Sequence, residues 1–174
     1  MIRLATISDA FRIAEISIYG WRTAYKDLLP ETYLYGKLNV IKRYEILQNQ
    51  LTSNDSYFVF EDDLTGLIKA FMVVSDSRDA DLDLEESSLP SHELIAIYVE
   101  PAFKGQGIGS KMIAHFEEMA NALQKKQTII WVLKDNFSSV HFYQKHGYTF
   151  DGNIKNLEPF GLEEVRYSKL INRI

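Results

Sequence analysis

Three glycines occupy alternate positions in YVEPAFKGQGIGSKM (98–112), directly after an apolar run that ends at a proline. A helix that begins near Gly107 would present unpaired backbone N–H groups and the positive end of its dipole. Glycines leave room for a phosphate, and neighbouring lysines add positive charge, so the pattern predicts an anion-binding cradle. A tight turn that needs positive φ angles is the alternative. The residues concerned are Gly105, Gly107 and Gly109, with Lys104 and Lys111 on either side.

The known nucleotide motifs do not fit this segment. A dinucleotide fingerprint needs glycines at its first, third and sixth positions, and counting from Gly105 or Gly107 places Ser110 or Met112 at the sixth. A P-loop needs Gly-Lys-Ser/Thr in register, whereas here Ser110 precedes Lys111. The spacing therefore predicts an anion site without naming the anion.

A second group of polar residues lies in NFSSVHFYQKHGYTF (136–150). On a helix, Asn136, Ser139 or Val140, and Tyr143 share one face, which leaves room for a ligand to lie along it. Gly147 is expected to end that helix. The alternative is that Asn136 only caps the helix and that Tyr143 is a core aromatic.

Composition limits the classes of function. A chain of 174 residues with 46% hydrophobic residues fits one globular domain over 1–174. It has no cysteine and a net charge of −5, which argues against disulfides, thiolate metal sites and nucleic-acid binding. No signal segment or membrane span is recognised, so we expect a cytoplasmic protein that does not bind membranes. The acidic stretch 76–88 is expected to be a solvated loop, with an electrostatic lure for a cationic substrate as the alternative.

The hydrophobic pattern predicts the elements that position these groups. Two buried strands, each followed by a helix, indicate parallel crossover units, and hairpins at both ends indicate antiparallel flanks. The expected fold class is α/β, a mixed sheet with a central parallel pair and about four helices. The predicted strands are 2–5, 56–61, 67–75, 93–99, 128–133 and two after residue 147; the predicted helices run from Ser8 through Tyr19, from Asn39 to about Leu51, over 111–123 and over 136–146, with broken or short helix in 21–37.

These segments together resemble the GNAT superfamily, the Gcn5-related N-acetyltransferases. ELIAIYVEPAFKGQGIGSKMI (93–113) is similar to the central strand, pyrophosphate loop and following helix of that family. NFSSVHFYQKHGY (136–148) is similar to its second signature, and WRTAY…LLPETYL to the acceptor-side helices of many members. Two departures are Lys104, where Arg or Gln is usual, and Trp131, where some relatives carry a glutamate base.

The resemblance implies a role for each matching residue. The main chain of the central strand would bind the pantetheine arm of acetyl-coenzyme A, the loop would wrap its pyrophosphate, and the second helix would contact the arm and protonate the leaving thiolate through Tyr143. No metal is implied. The implied cofactor-binding residues are Ile97, Tyr98 and Val99, then Lys104, Gly105, Gln106, Gly107, Ile108, Gly109 and Ser110, then Asn136, Ser139 and Tyr143.

The chemistry also needs a base, because an alkylamine with a pKa near ~10.4 is mostly protonated at neutral pH. Glu93, which opens the central strand, is the best placed candidate, although a solvent-facing strand end would explain it as well. His92 titrates near neutrality, but a histidine beside a loop is more often at the surface. Aromatic residues that are candidates for the acceptor cleft, or else core residues, are Tyr19, Trp21 and Tyr25.

The predicted activity is transfer of an acetyl group from acetyl-CoA to a primary amine, by direct attack within a ternary complex. The acceptor is open between a small amine or polyamine and a protein amine, and so is the formation of a homodimer. Two rival hypotheses are a non-catalytic acyl-CoA-binding module and an unrelated α/β protein that binds another phosphate ligand.

Overall fold

A computed structural model describes residues 1–52, 56–79 and 90–171. The strands within these residues are β1 Ile2–Leu4, β2 Tyr57–Glu61, β3 Ile68–Asp76, β4 Ser91–Val99, β5 Gln127–Leu133, β6 Thr149–Leu157 and β7 Leu162–Leu170. The helices are α1 Ala10–Ala24, α2 Glu31–Leu34, α3 Val40–Leu51, α4 Ile108–Ala122 and α5 Phe137–Lys145. Residues 80–88 of the acidic stretch lie outside the described residues, so the loop expected there is not described beyond residue 79.

The strands form one sheet in the order β1-β2-β3-β4-β5-β7-β6. β4 and β5 are parallel, and the other neighbouring pairs are antiparallel. The parallel pair requires a crossover connection, which α4 supplies. The predicted mixed α/β sheet with a central parallel pair is confirmed. The second crossover, from β5 through α5, leads to β6 at the sheet edge, with β7 between β5 and β6.

Contacts divide the chain into two compact units. The first contains Met1–Val73 and Ala96–Met112, and the second contains Val74–Ile95 and Ile113–Ile174. β3 and β4 each contribute residues to both units.

The core of the first unit is built on one face of α1. Ala10, Ile13 and Ala14 follow the three- and four-residue spacing of a helix face and are fully buried against apolar residues of α3, β2 and β3. The helix begins at Ala10 rather than Ser8, because a 3-10 turn, Ile7–Asp9, precedes it. The Asp9 carboxylate holds that turn by accepting from the Thr6 backbone N–H at 2.8 Å and from the Arg3 guanidinium.

Predicted helix boundaries after α1 are largely confirmed. Asn39 is the N-cap of α3, and its side chain accepts from the Lys42 N–H at 3.1 Å. In residues 21–37, where broken or short helix is predicted, α1 ends at Ala24 and α2 is a single turn of four residues. No helix among the described residues has the length and apolar character needed to span a membrane.

The second unit is built on the parallel strands. The register pairs Ser91–Leu94 of β4 with Gln127–Ile130 of β5, and β5 then pairs along its whole length with β7. Leu94, Ile113, Phe116 and Ile129 are fully buried, which is expected because helices cover a parallel pair.

Candidate active site

The loop between β4 and α4 holds two of the three glycines in conformations that favour glycine. Gly105 has a φ of +79° and Gly107 a φ of +76°, both in the left-handed region. Apart from the two chain neighbours, a Cβ atom placed on either residue would meet no atom of the described part of the chain within 4 Å. The backbone conformation therefore favours glycine here, and the space beside both residues is open. Gly109 differs from the predicted alternation because it already lies in the first turn of α4.

The N-terminus of α4 adds positive character to this loop. The Lys111 N–H donates to the Gly107 carbonyl at 3.1 Å, so Gly107 directly precedes the first turn. By helix geometry, the N–H groups of Ile108 and Gly109 have no acceptor within the helix. Lys104 and Lys111 are exposed, and the Lys111 ammonium lies 5.8 Å from the centre of the Phe60 ring. The loop thus combines open space, backbone donors and two cations, which fits a phosphate-type anion.

The first half of β4 is buried and paired with β5, whereas the second half is neither fully buried nor paired with β5. Its first four residues are buried and paired with β5, and the pairing ends at Leu94, opposite Ile130. Ile95 is 37% exposed, and the residues that follow it, including Ile97, Tyr98 and Val99, are only partly buried. The second half of β4 therefore has no β5 partner in the register, and a role of its main chain toward a ligand remains a prediction.

The second predicted group lies at the start and in the body of α5. Asn136 is buried and caps the helix, and its side chain accepts from the Ser139 N–H at 3.2 Å. Ser139 is half-buried, and Tyr143 is buried. The Tyr143 ring makes edge contacts with Phe142 at 5.4 Å and with Tyr148 at 6.3 Å. The capping and packing alternatives are therefore correct descriptions of Asn136 and Tyr143, while their roles toward a ligand remain predictions.

Glu93 lies inside the sheet and not at a solvent-facing strand end. Its side chain is 1% exposed, and both of its oxygens accept hydrogen bonds from Arg78. The Arg78 Nε lies 3.1 Å from Oε2, and the Arg78 backbone N–H lies 3.2 Å from the same oxygen. The alternative of a solvent-facing strand end is therefore wrong, because the arginine allows the carboxylate to be buried, while the role of Glu93 as a base remains a prediction.

His92 is buried as well, so the expectation of a surface histidine is wrong. Its ring stacks on Phe116 of α4 at 5.4 Å, and neither ring nitrogen has a hydrogen-bond partner among the described residues. Burial lowers the pKa of His92 below its usual value, although Asp76, whose Oδ1 lies 3.6 Å from Nδ1, opposes the shift. Because neighbouring residues of a strand point to opposite faces, His92 and Glu93 cannot serve the same face of the sheet.

A polar network around Trp131 was not anticipated from the sequence. The Trp131 Nε1–H donates to Asp79 at 2.9 Å, and the same carboxylate oxygen accepts from Arg166 at 2.9 Å. Arg166 is buried and also donates to Asp151 at 2.7 Å. The Lys155 ammonium lies 4.1 Å from the centre of the Trp131 ring. Position 131 thus holds an indole fixed by paired charges.

Aromatic residues of α1 and α2 form a cluster in the first unit. Trp21 and Tyr25 meet edge to face at 5.0 Å, and Tyr33 lies 6.4 Å from Trp21. The Tyr25 and Tyr98 hydroxyls are 3.3 Å apart, which joins the cluster to β4. Tyr19 is 43% exposed, and Trp21 and Tyr25 are partly buried, so they are not core residues; lining an acceptor cleft remains a prediction for all three.

Comparison with known proteins assigns a family to this arrangement of sheet, glycine loop and capped α5. The model of the Acetyltransferase (GNAT) family matches residues 19–148. Because that match covers most of the chain, this protein belongs to the GNAT family, and the resemblance predicted from the sequence is confirmed.

One curated relative and several solved structures are similar to most of the chain, and the structures show the same fold. The chain is 27% identical over 146 residues to YuaI of Bacillus subtilis, described as an uncharacterized N-acetyltransferase, and the match covers 83% of this chain and 78% of YuaI. PaiA N-acetyltransferase of Thermoplasma acidophilum, solved in complex with coenzyme A, superposes with a TM-score of 0.69 at 18% identity over 95% of this chain and 96% of PaiA. A GNAT-family acetyltransferase of Listeria monocytogenes superposes with a TM-score of 0.70 at 18% identity, over 98% and 94% of the two chains.

Proposed function

We propose that this protein is an N-acetyltransferase that transfers the acetyl group of acetyl-CoA to a primary amine. The observation that carries the proposal is the pair of positive-φ glycines, Gly105 and Gly107, with open space where side chains would be and a helix N-terminus directly after them. Membership of the GNAT family and the coenzyme A complex of PaiA support the choice of ligand.

The residues that would hold the cofactor follow the order of the chain. Main-chain groups of Ile97, Tyr98 and Val99 would pair with the pantetheine arm, since β4 has no β5 partner there in the register. The loop would hold the pyrophosphate by backbone N–H groups and by the Lys104 charge. Asn136 and Ser139, at the start of α5, would contact the arm. The complete loop set is Lys104, Gly105, Gln106, Gly107, Ile108, Gly109 and Ser110.

Acetyl-CoA supplies a thioester whose carbonyl carbon is attacked by a neutral amine. Since an alkylamine has a pKa near ~10.4, deprotonating it at pH 7 costs roughly 4–5 kcal/mol. Glu93 is our candidate to accept that proton, once its oxygens are released from Arg78. A main-chain N–H of β4 would stabilise the oxyanion that develops.

Tyr143 is the proposed acid for the departing thiolate. A tyrosine, with a reference pKa near ~10, is protonated at neutral pH and therefore has a proton to donate. Transfer would be direct, because the chain has no cysteine to form an acyl-enzyme. The whole of residues 1–174 is proposed to act as one N-acyltransferase domain.

The test compares Tyr143→Phe with Tyr148→Phe in a thiol-release assay with acetyl-CoA and a panel of amines. Loss of a general acid should lower kcat by about 100-fold, while the affinity for coenzyme A stays unchanged. Tyr148→Phe is a matched control, because it removes a neighbouring buried phenol whose partner is the Thr128 hydroxyl at 3.1 Å. It should cost stability but leave turnover intact.

Three outcomes would count against parts of the proposal. Unchanged turnover in Tyr143→Phe would remove Tyr143 as the acid. Binding of acetyl-CoA without turnover of any amine by the unmodified protein would favour a non-catalytic acyl-CoA-binding module. Failure of millimolar acetyl-CoA to raise the melting temperature would contradict cofactor binding itself.

A further inference from the structure

The ion pair of Arg78 and Glu93 joins two groups with opposite exposure. The Glu93 side chain is 1% exposed, whereas the Arg78 side chain is 59% exposed. The guanidinium donates to both carboxylate oxygens, through Nε and Nη2. A buried anion is thus covered by a cation that is itself largely in water.

This asymmetry makes the cation the exchangeable member of the pair. A buried carboxylate without a partner is strongly unfavourable, so Glu93 needs some cation. A solvated arginine side chain loses little when it leaves, because water replaces its hydrogen bonds. The Arg78 backbone N–H also donates to Glu93, so the main chain can stay in place while the guanidinium moves.

The carboxylates of Asp79 and Glu164, which are close to Arg78, already have partners of their own. Asp79, the next residue, accepts from Trp131 and Arg166 at 2.9 Å each. Lys155 lies over the Trp131 ring and 3.4 Å from Glu164. Glu93 is therefore the carboxylate on which a newly arriving cation would replace Arg78.

The position of Glu93 relates this exchange to the proposed reaction. It lies one residue before the end of the β4–β5 register at Leu94. The segment proposed for the cofactor arm, Ile97–Val99, follows on the same strand.

We propose that Arg78 is an intramolecular competitor for the acceptor, and that the Glu93 carboxylate binds the acceptor's ammonium group in exchange for the Arg78 guanidinium. This inference rests on the function proposed above and deepens it. It assigns the acceptor to amines that arrive positively charged, and it makes the strength of the Arg78–Glu93 pair a determinant of the acceptor KM.

The first experiment tests cation exchange without catalysis. Arg78→Gln should lower the melting temperature by about 5 °C or more, because it leaves a buried carboxylate unpaired. Methylguanidinium chloride should recover part of that loss, whereas the same concentration of sodium chloride should not. Neither salt should raise the melting temperature of the unmodified protein. The double variant Arg78→Gln/Glu93→Gln should show no recovery, because it lacks the carboxylate that binds the cation.

The second experiment measures kinetics with charged alkylamines. Arg78→Gln should lower the KM for the amine several-fold and leave the KM for acetyl-CoA unchanged. Lys155→Gln is the matched control, since it removes a cation that contacts Glu164 and not Glu93, and its amine KM should not change. Arg78→Lys keeps a charge but loses the bidentate geometry, so its amine KM should lie between those of Arg78→Gln and Lys155→Gln.

The two experiments separate this inference from the proposed function. If methylguanidinium gives folded Arg78→Gln or Arg78→Lys no more stability than sodium chloride does, the exchange model is wrong. An amine KM that is unchanged or raised in Arg78→Gln overturns it as well. If no amine is acetylated by any variant while methylguanidinium still stabilises Arg78→Gln, the proposed function fails and the cation site stands.

Discussion

We predict that position 20 needs glycine because any side chain there would collide with the Tyr98 ring, and not because the helix itself favours glycine. Gly20 lies in the interior of α1, where glycine costs about 1 kcal/mol relative to alanine. A Cβ atom on Gly20 would lie 2.5 Å from Tyr98 Cδ1 and 3.2 Å from Cγ. The ring must therefore move by about 1 Å to reach ordinary contact distance.

The surroundings of Tyr98 resist that movement. Its ring stacks on Phe71 at 5.6 Å, and its hydroxyl lies 3.3 Å from that of Tyr25. Overpacking of a core costs about 1–3 kcal/mol, and loss of the hydroxyl contact adds about 0.5–1.5 kcal/mol. After the gain in helix propensity of about 1 kcal/mol is subtracted, Gly20→Ala should destabilise the protein by about 0.5–3.5 kcal/mol, which lowers the melting temperature by about 1–14 °C.

Urea unfolding of a double-mutant cycle checks this reasoning. In a Tyr98→Ala background the added methyl group meets no ring, so Gly20→Ala should there stabilise the protein by about 1 kcal/mol. The sign of the effect should reverse between the two backgrounds. Gly20→Ala should also weaken acetyl-CoA binding in the otherwise unmodified protein, because Tyr98 belongs to the proposed arm-binding segment. A stabilising Gly20→Ala with Tyr98 present would refute the argument.

Two further changes test the glycine loop and His92. Gly107→Asn should raise the Kd for coenzyme A by about tenfold or more, because asparagine tolerates positive φ but fills the open space. The control Gly161→Asn, at a residue with a φ of +65° and equally open surroundings, should not change that Kd. If calorimetry gives Gly107→Asn the same affinity for coenzyme A as the unmodified protein, the loop is a plain turn. Burial lowers the pKa of His92. Below about pH 6.5 the unfolded chain therefore binds a proton that the native protein does not. The free energy of unfolding should then decrease as the pH decreases, by at most about 1.4 kcal/mol per pH unit. His92→Leu should flatten that dependence in urea unfolding between pH 5.5 and 7.5, with Asp76 and Lys125 beside it unchanged; an unaltered slope would assign the effect to other groups.

Helix caps and glycine turns could be predicted from the sequence because each depends on residues that are close together in the chain. The cap at Asn39 lies directly before the helix that it caps, and the glycines at 105 and 107 mark a turn whose φ angles other residues adopt poorly. The alternation of apolar runs and helical segments was sufficient to predict the mixed sheet and its central parallel pair. The family resemblance rests on the same segments.

The partners of the buried charges were decided only by the tertiary structure. Glu93 was predicted at a strand end, yet it is buried because Arg78, fifteen residues earlier, pairs with it. Asp79 and Arg166 are 87 residues apart, and Trp131, between them in sequence, shares the same carboxylate. No local pattern encodes such contacts, because they depend on which strands become neighbours and on which face each side chain points. The sequence by itself therefore determined the elements and the family, whereas folding determined which charges are buried and which groups pair with them.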